Sequence, residues 1–187
     1  MIAFVRHGQT PPNRDGLMLG RDDPGLTDEG RLQSQQLARA LRPENPTAII
    51  SSPLLRARDT AAAIAAACGL DVEVDERLVE IDWGEWEGRP VGSVGGKQGD
   101  MPSGGEALAS LDARVGSFCQ DVLERPGLVV AVSHVSPIKA SVAWALGVDG
   151  EIAWRMYLAL ASITRVSTGR RGPLLVSFNE TAHLAAS

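Results

Sequence analysis

LVVAVSHVSP, residues 128–137, decides the fold. The apolar run is short and rich in β-branched residues, the pattern of a buried strand, and it stops at Ser133-His134. Pro137 then opens a helix that runs to about Gly147. Strand, polar tip, helix is the unit from which α/β proteins are assembled, and the same unit recurs toward both ends of the chain. IAFV (2–5), TAIISS (47–52) and DVEVDE (71–76) read as strands. Thr27 can cap a helix whose first turn holds Asp28 and Glu29 and whose apolar side carries Leu32, Leu37 and Leu41. Pro53 opens another, which continues through Ala67 and ends at Gly69. Leu108, Leu111, Val115, Phe118 and Val122 step by three and four, which predicts an amphipathic helix over 105–124. SITRVS (162–167) and LLVSF (174–178) flank TGRRGP with the spacing of a hairpin. The expected fold is a three-layer α/β sandwich. Its central sheet is mostly parallel with about six strands, the last hairpin gives an antiparallel strand, and helices cover both faces. No repeat and no long linker divides the chain, so residues 1–187 are expected to form one domain.

Composition narrows the function. The chain is 44% apolar and 22% charged with a net charge of -5, which argues against general binding to nucleic acid or to an anionic membrane. No apolar run approaches the roughly 20 residues of a membrane span. Arg6 interrupts the first apolar stretch too early for a signal peptide. Cys68 and Cys119 both fall in helix-like segments and read as reduced thiols, which suits the cytoplasm. The segment 91–105, VGSVGGKQGDMPSGG, reads either as a surface loop or as a lid, and IAWRMYLAL (152–160) has enough apolar surface for a homodimer interface if the core does not absorb it.

In an α/β sandwich, ligands bind beyond the carboxyl ends of the strands. Arg6 and His7 stand at one such end, His134 at another, and Ser51 and Ser52 at a third, with Arg56 one turn into the following helix. No carboxylate adjoins any of these cations in sequence. A convergence of Arg6, His7, Arg56 and His134 makes sense around an anion, and phosphate suits two guanidinium forks best. A neutral imidazole at such a place is also a nucleophile, with its second nitrogen held by a backbone carbonyl and Gly8 allowing a tight backbone. Phosphoryl transfer to His7 needs charge stabilisation, available from Arg6, Arg56 and a protonated His134. It also needs an acid for the leaving alkoxide, and VEIDWGEWEG offers Glu80, Asp82, Glu85 and Glu87. The three histidines, His7, His134 and His183, show no metal-binding spacing, so neither metal nor cofactor is expected, and His183 is read as a tail residue. Ser133 and Ser136 lack the nucleophile elbow of a serine hydrolase.

These motifs resemble the histidine phosphatase superfamily, in its phosphoglycerate-mutase-like branch of broad-specificity phosphatases. RHGQTPPN is similar to the family's opening motif, with Arg6, His7, Gly8, Thr10 and Asn13 in register, and GRDDPGLTDEG to the segment that follows it. SSPLLRARDTA places the pocket arginine at Arg56, LVEIDWGEWEG the acid at Glu80, PSGGEA the start of the long helix at Glu106, and VSH the second histidine at His134. The closing SFNETAHL is similar as well. The resemblance implies that His7 becomes phosphorylated, that Glu80 acts as acid and then as base, and that Arg6, Arg56, His134 and Asn13 hold the phosphoryl oxygens. Burial of Glu80 beside Trp83 or Trp86 would raise its pKa as that role requires.

Two positions depart from the family. Val135 stands where Gly is usual after the second histidine, which would narrow the phosphate pocket or oppose an unusual backbone. Pro11 and Pro12 stiffen the loop before Asn13, and Pro12 replaces the common aromatic residue. The expected activity is hydrolysis of a small phosphomonoester, with inorganic phosphate as product. About 50 residues separate Glu80 from His134, and they lack the long basic insertion of the family's mutases. Phosphoglycerate-type mutation and non-catalytic phosphate binding are the alternatives.

Overall fold

Along the first strand, β1 (Ile2–Arg6), successive side chains point to opposite faces of the sheet, and both faces are apolar. Ile2 and Phe4 join one core cluster, with Leu111, Val115 and Phe118; Ala3 and Val5 join another, with Leu37, Leu41 and Ile64. A strand hydrophobic on both sides must be covered on both sides, and that requirement produces the three layers. Each buried side chain of this size contributes roughly 1.5–3 kcal/mol of transfer free energy. The computed structural model describes residues 1–94 and 101–185.

The other strands are β2 (Ala48–Ser51), β3 (Val72–Val74), β4 (Val129–Ser133), β5 (Ile163–Gly169) and β6 (Gly172–Glu180). They form one six-stranded sheet in the order β3-β2-β4-β1-β5-β6. β1, β2, β3 and β4 are parallel, while β5 runs antiparallel to both β1 and β6. Helices α2 (Asp28–Leu41) and α3 (Leu55–Cys68) cover one face, and α4 (Leu108–Leu123) and α5 (Val135–Leu146) cover the other. The expected layers, strand number and antiparallel hairpin strand are those observed.

The differences lie at element ends. Residues 11–14, expected as loop, form a single helical turn, α1 (Pro11–Arg14). Two prolines fit there because the first N–H groups of a helix need no intrahelical partner. Thr10 closes the turn by donating both its N–H (3.2 Å) and its hydroxyl (2.8 Å) to Asn13 Oδ1. Helix α3 begins at Leu55 rather than Pro53, with Asp23 from a distant loop accepting the Leu55 N–H at 2.6 Å. Helix α4 begins at Leu108 rather than 105, because the chain is first tied down at Glu106. Its N–H bonds Asp82 O at 3.0 Å, and its carboxylate takes two bonds from Arg114. Helix α5 begins at Val135, two residues before Pro137. Val135 therefore has ordinary helical backbone, and the concern that a β-branched residue would oppose an unusual conformation there does not apply. The hairpin strands reach inward to Gly169 and Gly172, leaving Arg170-Arg171 as the turn. Residues 95–100, the middle of the segment read as loop or lid, lie outside the described residues. The stretch 152–160 divides: Leu158 is buried, while Trp154 and Tyr157 are exposed.

Candidate active site

The sheet register assembles the site. Arg6 pairs with Ser133 across β1 and β4, and the His7 N–H bonds Ser133 O at 3.1 Å. His7 and His134 therefore leave neighbouring parallel strands side by side, with ring centroids 5.0 Å apart and planes tilted by 56°. The β2–β4 register sets Ser51 opposite Val132, which brings Ser52 to the same edge. Its hydroxyl lies 2.7 Å from His134 Nε2.

Both rings are buried, His7 at 3% exposure and His134 at 0%. Burial holds the His7 pKa well below 6.5, and the charges of Arg56 and then Arg6 depress it further. Burial does the same to His134, reinforced by His7, Arg56 and Arg6. Both imidazoles are therefore neutral near pH 7, which corrects the expectation of a protonated His134. The partner of His7 settles its tautomer. Gly8 O lies 2.7 Å from His7 Nδ1, and a carbonyl can only accept, so Nδ1 carries the proton and Nε2 the lone pair. Ser52 Oγ accepts the Leu54 N–H at 3.4 Å and keeps one lone pair and its own proton for His134 Nε2; where it donates that proton, the His134 ring proton lies on Nδ1.

The arginines are held by carbonyls rather than carboxylates. Arg6 donates to Leu158 O at 2.6 Å; Arg56 donates to Asp22 O and Gly20 O, each at 2.7 Å. Burial lowers the Arg6 pKa to about 10 and lowers that of Arg56, so both stay charged. Among the described residues, the buried side-chain nitrogens without a partner are Arg6 Nε, Arg56 Nε and His134 Nδ1. Each such buried donor costs about 1–3 kcal/mol. All three side chains are electrostatic neighbours, and of the three only Arg6 lines the cleft described below.

Glu80 is 4% exposed and lies at the first turn of α5, where its Oε1 accepts the Ile81 N–H (2.9 Å) and the Ser136 N–H (3.2 Å). Burial raises its pKa above 4.5, against the opposing pull of those two bonds and of Arg56 and Arg6. The other candidate acids are placed differently. Asp82 accepts the Gly84 N–H, and Glu85 is exposed. Glu87 accepts the N–H groups of Gly20, Arg21 and Asp22, fixing the loop whose carbonyls grip Arg56. Arg6, His7, Asn13, Glu80 and Val135 open onto a cleft of about 260 Å³, together with Trp83, Lys139 and Tyr157. Trp86 stacks on Trp83 at 6.0 Å and is not part of that lining. The bonds from Thr10 occupy Asn13 Oδ1, which leaves the Nδ2 donor for a ligand. Val135 lines the cleft. Among the described residues, no group of three or more His, Cys, Asp or Glu side chains is arranged to hold a metal ion.

Several supporting groups have no local signature in the sequence. Thr60 Oγ1 accepts the Gly8 N–H at 3.1 Å. Gly8 and Gly30 pack so closely that a Cβ on Gly8 would strike the Gly30 carbonyl, so Gly8 is needed for that contact more than for the His7 ring. His183 lies in the C-terminal tail after β6 and away from the cleft lining, tied down with its Nε2 2.9 Å from Ala161 O. Only the pairing of small residues across separate segments could have pointed to such contacts.

An α/β sheet that presents two neutral histidines, two guanidinium groups and one protonatable carboxyl at its carboxyl edge defines a site for phosphoryl chemistry. Comparison with known proteins agrees. Residues 2–181 match the model of the histidine phosphatase superfamily (branch 1). Phosphoserine phosphatase 1 of Hydrogenobacter thermophilus is 35% identical over 98% of this chain and 93% of that protein. A probable phosphoglycerate mutase of Salmonella paratyphi C is 34% identical, over 88% and 83% of the two chains. The crystal structure of a phosphoserine phosphatase from Entamoeba histolytica, in complex with 3-phosphoglyceric acid, superposes with a TM-score of 0.88 at 30% identity and covers 98% of each chain. The chain spans 49% of the length of some mycobacterial relatives. The chain belongs to the histidine phosphatase superfamily.

Proposed function

We propose that residues 1–187 form one catalytic domain that hydrolyses a small phosphomonoester through a phosphohistidine at His7. One observation carries this reading: a buried, neutral, tautomer-fixed imidazole lies beside buried nitrogens of Arg6, Arg56 and His134 that lack partners among the described residues. Arg6 and Arg56 bring two positive charges to the site, which match a phosphate dianion.

In the first step His7 Nε2 attacks phosphorus and the bond to the ester oxygen breaks. The carboxyl of Glu80 gives its proton to that oxygen, so an alcohol leaves rather than an alkoxide. Arg6, Arg56, His134 Nδ1–H and Asn13 Nδ2 bind the phosphoryl oxygens as charge spreads over them. In the second step the Glu80 carboxylate takes a proton from water, the water oxygen bonds to phosphorus, and the N–P bond breaks to release inorganic phosphate. The residues present supply nucleophile, acid and charge stabilisation without a metal or cofactor. The free thiols Cys68 and Cys119 suit a cytoplasmic setting.

Relatives act on phosphoserine and bind phosphoglycerate, so phosphorylated hydroxy and amino acids are the first substrates to try. Purified protein in EDTA should release inorganic phosphate from O-phosphoserine or 3-phosphoglycerate, and the His7→Ala variant should not. Exchange of phosphate between glycerate positions with no release would establish the mutase alternative instead. Phosphate binding without turnover of any ester would leave a binding module.

A further inference from the structure

Lys139 lies on α5 one turn beyond Val135 and shares the cleft wall with Val135 and Ser136. A smaller cavity of about 80 Å³ adjoins the cleft, and Trp83, Val135, Ser136 and Lys139 line both. The rest of its wall is largely apolar, with Leu108 and Trp154 prominent. Lys139 is partly buried between these two spaces.

Among the described residues, its ammonium has no anionic partner. None of the ion pairs among the described residues includes it, and Asp112, the carboxylate on the side-cavity wall, does not pair with it. Its charged neighbours are Arg6, which repels it, and Glu80, whose Oε1 is already bonded to two backbone N–H groups. Burial and Arg6 push its pKa down. A partly desolvated cation in apolar surroundings beside another cation is unfavourable unless a ligand completes it.

Position indicates which part of a ligand that would be. Glu80 meets the leaving oxygen in the mechanism above and is bonded to Ser136 at the start of α5. Lys139 follows Ser136 by three residues on the same helix face, so it stands on the leaving-group side of the acid. We propose that Lys139 binds an anionic group, a carboxylate or a second phosphate, carried by the leaving-group half of the substrate. This inference rests on the phosphatase reading and extends it to specificity.

The test compares Lys139→Met, which keeps the apolar stem, and Lys139→Arg, which keeps the charge, with the unaltered enzyme. Three phosphomonoesters serve as probes: 3-phosphoglycerate with a carboxylate, 1,3-propanediol bisphosphate with a second phosphate, and glycerol 3-phosphate with neither. In the unaltered enzyme at least one anionic substrate should have a higher kcat/KM than glycerol 3-phosphate, and which one identifies the anion. Lys139→Met should erase that preference, chiefly by raising KM for the anionic substrate on the order of 10- to 100-fold, the worth of one charge-assisted hydrogen bond. Lys139→Arg should restore much of it. Equal losses on all three esters, or a preference that survives in Lys139→Met, would overturn the inference while leaving the phosphatase reading intact. An unaltered enzyme that hydrolyses all three without preference would do the same. Release of phosphate from none of them would overturn both.

Discussion

The hydroxyl of Ser52 lies 2.7 Å from Nε2 of His134, joining residues 82 positions apart in the chain. The bond makes a serine just beyond β2 the positioning group for the second histidine, because it is the contact that fixes the orientation of the buried ring. Ser52→Ala should lower kcat by about tenfold, since a buried nitrogen left unpaired costs about 1–3 kcal/mol. Ser52→Thr should recover part of the loss. Steady-state kinetics on one substrate would check this, and an unchanged kcat for Ser52→Ala would show that the bond does not orient His134.

Arg56 should tolerate no substitution, including lysine. Its guanidinium spans the carbonyls of Gly20 and Asp22 and still turns Nε toward no protein acceptor, a geometry an ammonium cannot reproduce. Arg56→Lys should reduce kcat/KM by at least about 100-fold, within the range for losing a charge-assisted contact to a reacting group. It should also weaken inhibition by inorganic phosphate. Glu87→Gln, which loosens the loop holding Arg56 without touching the ligand, should show a smaller loss of both.

Activity should depend on pH through two groups. His7 must be neutral to attack, and its pKa lies well below 6.5, so activity rises as pH climbs through that low value. Glu80 must be protonated to serve the leaving group, and its pKa lies above 4.5, so activity falls as pH climbs through that raised value. On an alkyl ester the falling limb should be present in the unaltered enzyme and absent in Glu80→Gln; the substrate's own ionisation is common to both. With an activated aryl ester, which needs no acid, Glu80→Gln should lose far less. Equal losses on both esters would remove Glu80 from the acid role.

The sequence disclosed the strands and helices because apolar periodicity is local, and it disclosed Arg6, His7, Arg56 and His134 because each sits at or near a strand end; Glu80 stood out from Asp82, Glu85 and Glu87 only through the resemblance to the family, since it lies beyond a turn that follows β3. It placed the start of α5 at Pro137 because proline marks a first turn, whereas the helix begins at Val135 once Glu80 accepts the Ser136 N–H. It made the arginine cluster look unpaired, because the carbonyls of Gly20, Asp22 and Leu158 come from distant loops and carry no residue-type signature. The neutrality of His134 was hidden for a related reason: burial and four neighbouring cationic or titratable groups, His7, Arg56, Arg6 and Arg114, act together only in the folded chain.

Folding stability should weaken in acid for the same reason that His7 is a good nucleophile. Its folded pKa, like that of His134, is depressed below the unfolded value of 6.5. The stability linked to that difference is fully present above pH 6.5 and is lost as pH falls toward the depressed values, by up to roughly 1 kcal/mol per pH unit for each histidine. Urea unfolding between pH 7.5 and pH 5.5 in phosphate-free buffer should show this loss, and His134→Gln should show a shallower one. An identical slope would mean that His134 does not titrate differently in the two states.

Gly30→Ala should destabilise the protein by about 1–3 kcal/mol through overpacking. A Cβ there would collide with the backbone of Gln9, at the point where α2 meets the loop after β1. Urea unfolding of this variant, with kcat measured alongside, should show both falling, because the loop displaced is the one that carries His7. Stability equal to that of the parent would show that the two segments part easily.

The proposed cycle turns on a bond between His7 Nε2 and phosphorus. The direct measurement is to mix the protein with a ³²P-labelled phosphomonoester, quench within milliseconds in alkali, digest and map the label. The account predicts an alkali-stable, acid-labile phosphohistidine at His7, absent from His7→Ala and longer-lived in Glu80→Gln when formed from an activated ester. Rapid hydrolysis with no label on His7, or with label on another residue, would contradict it.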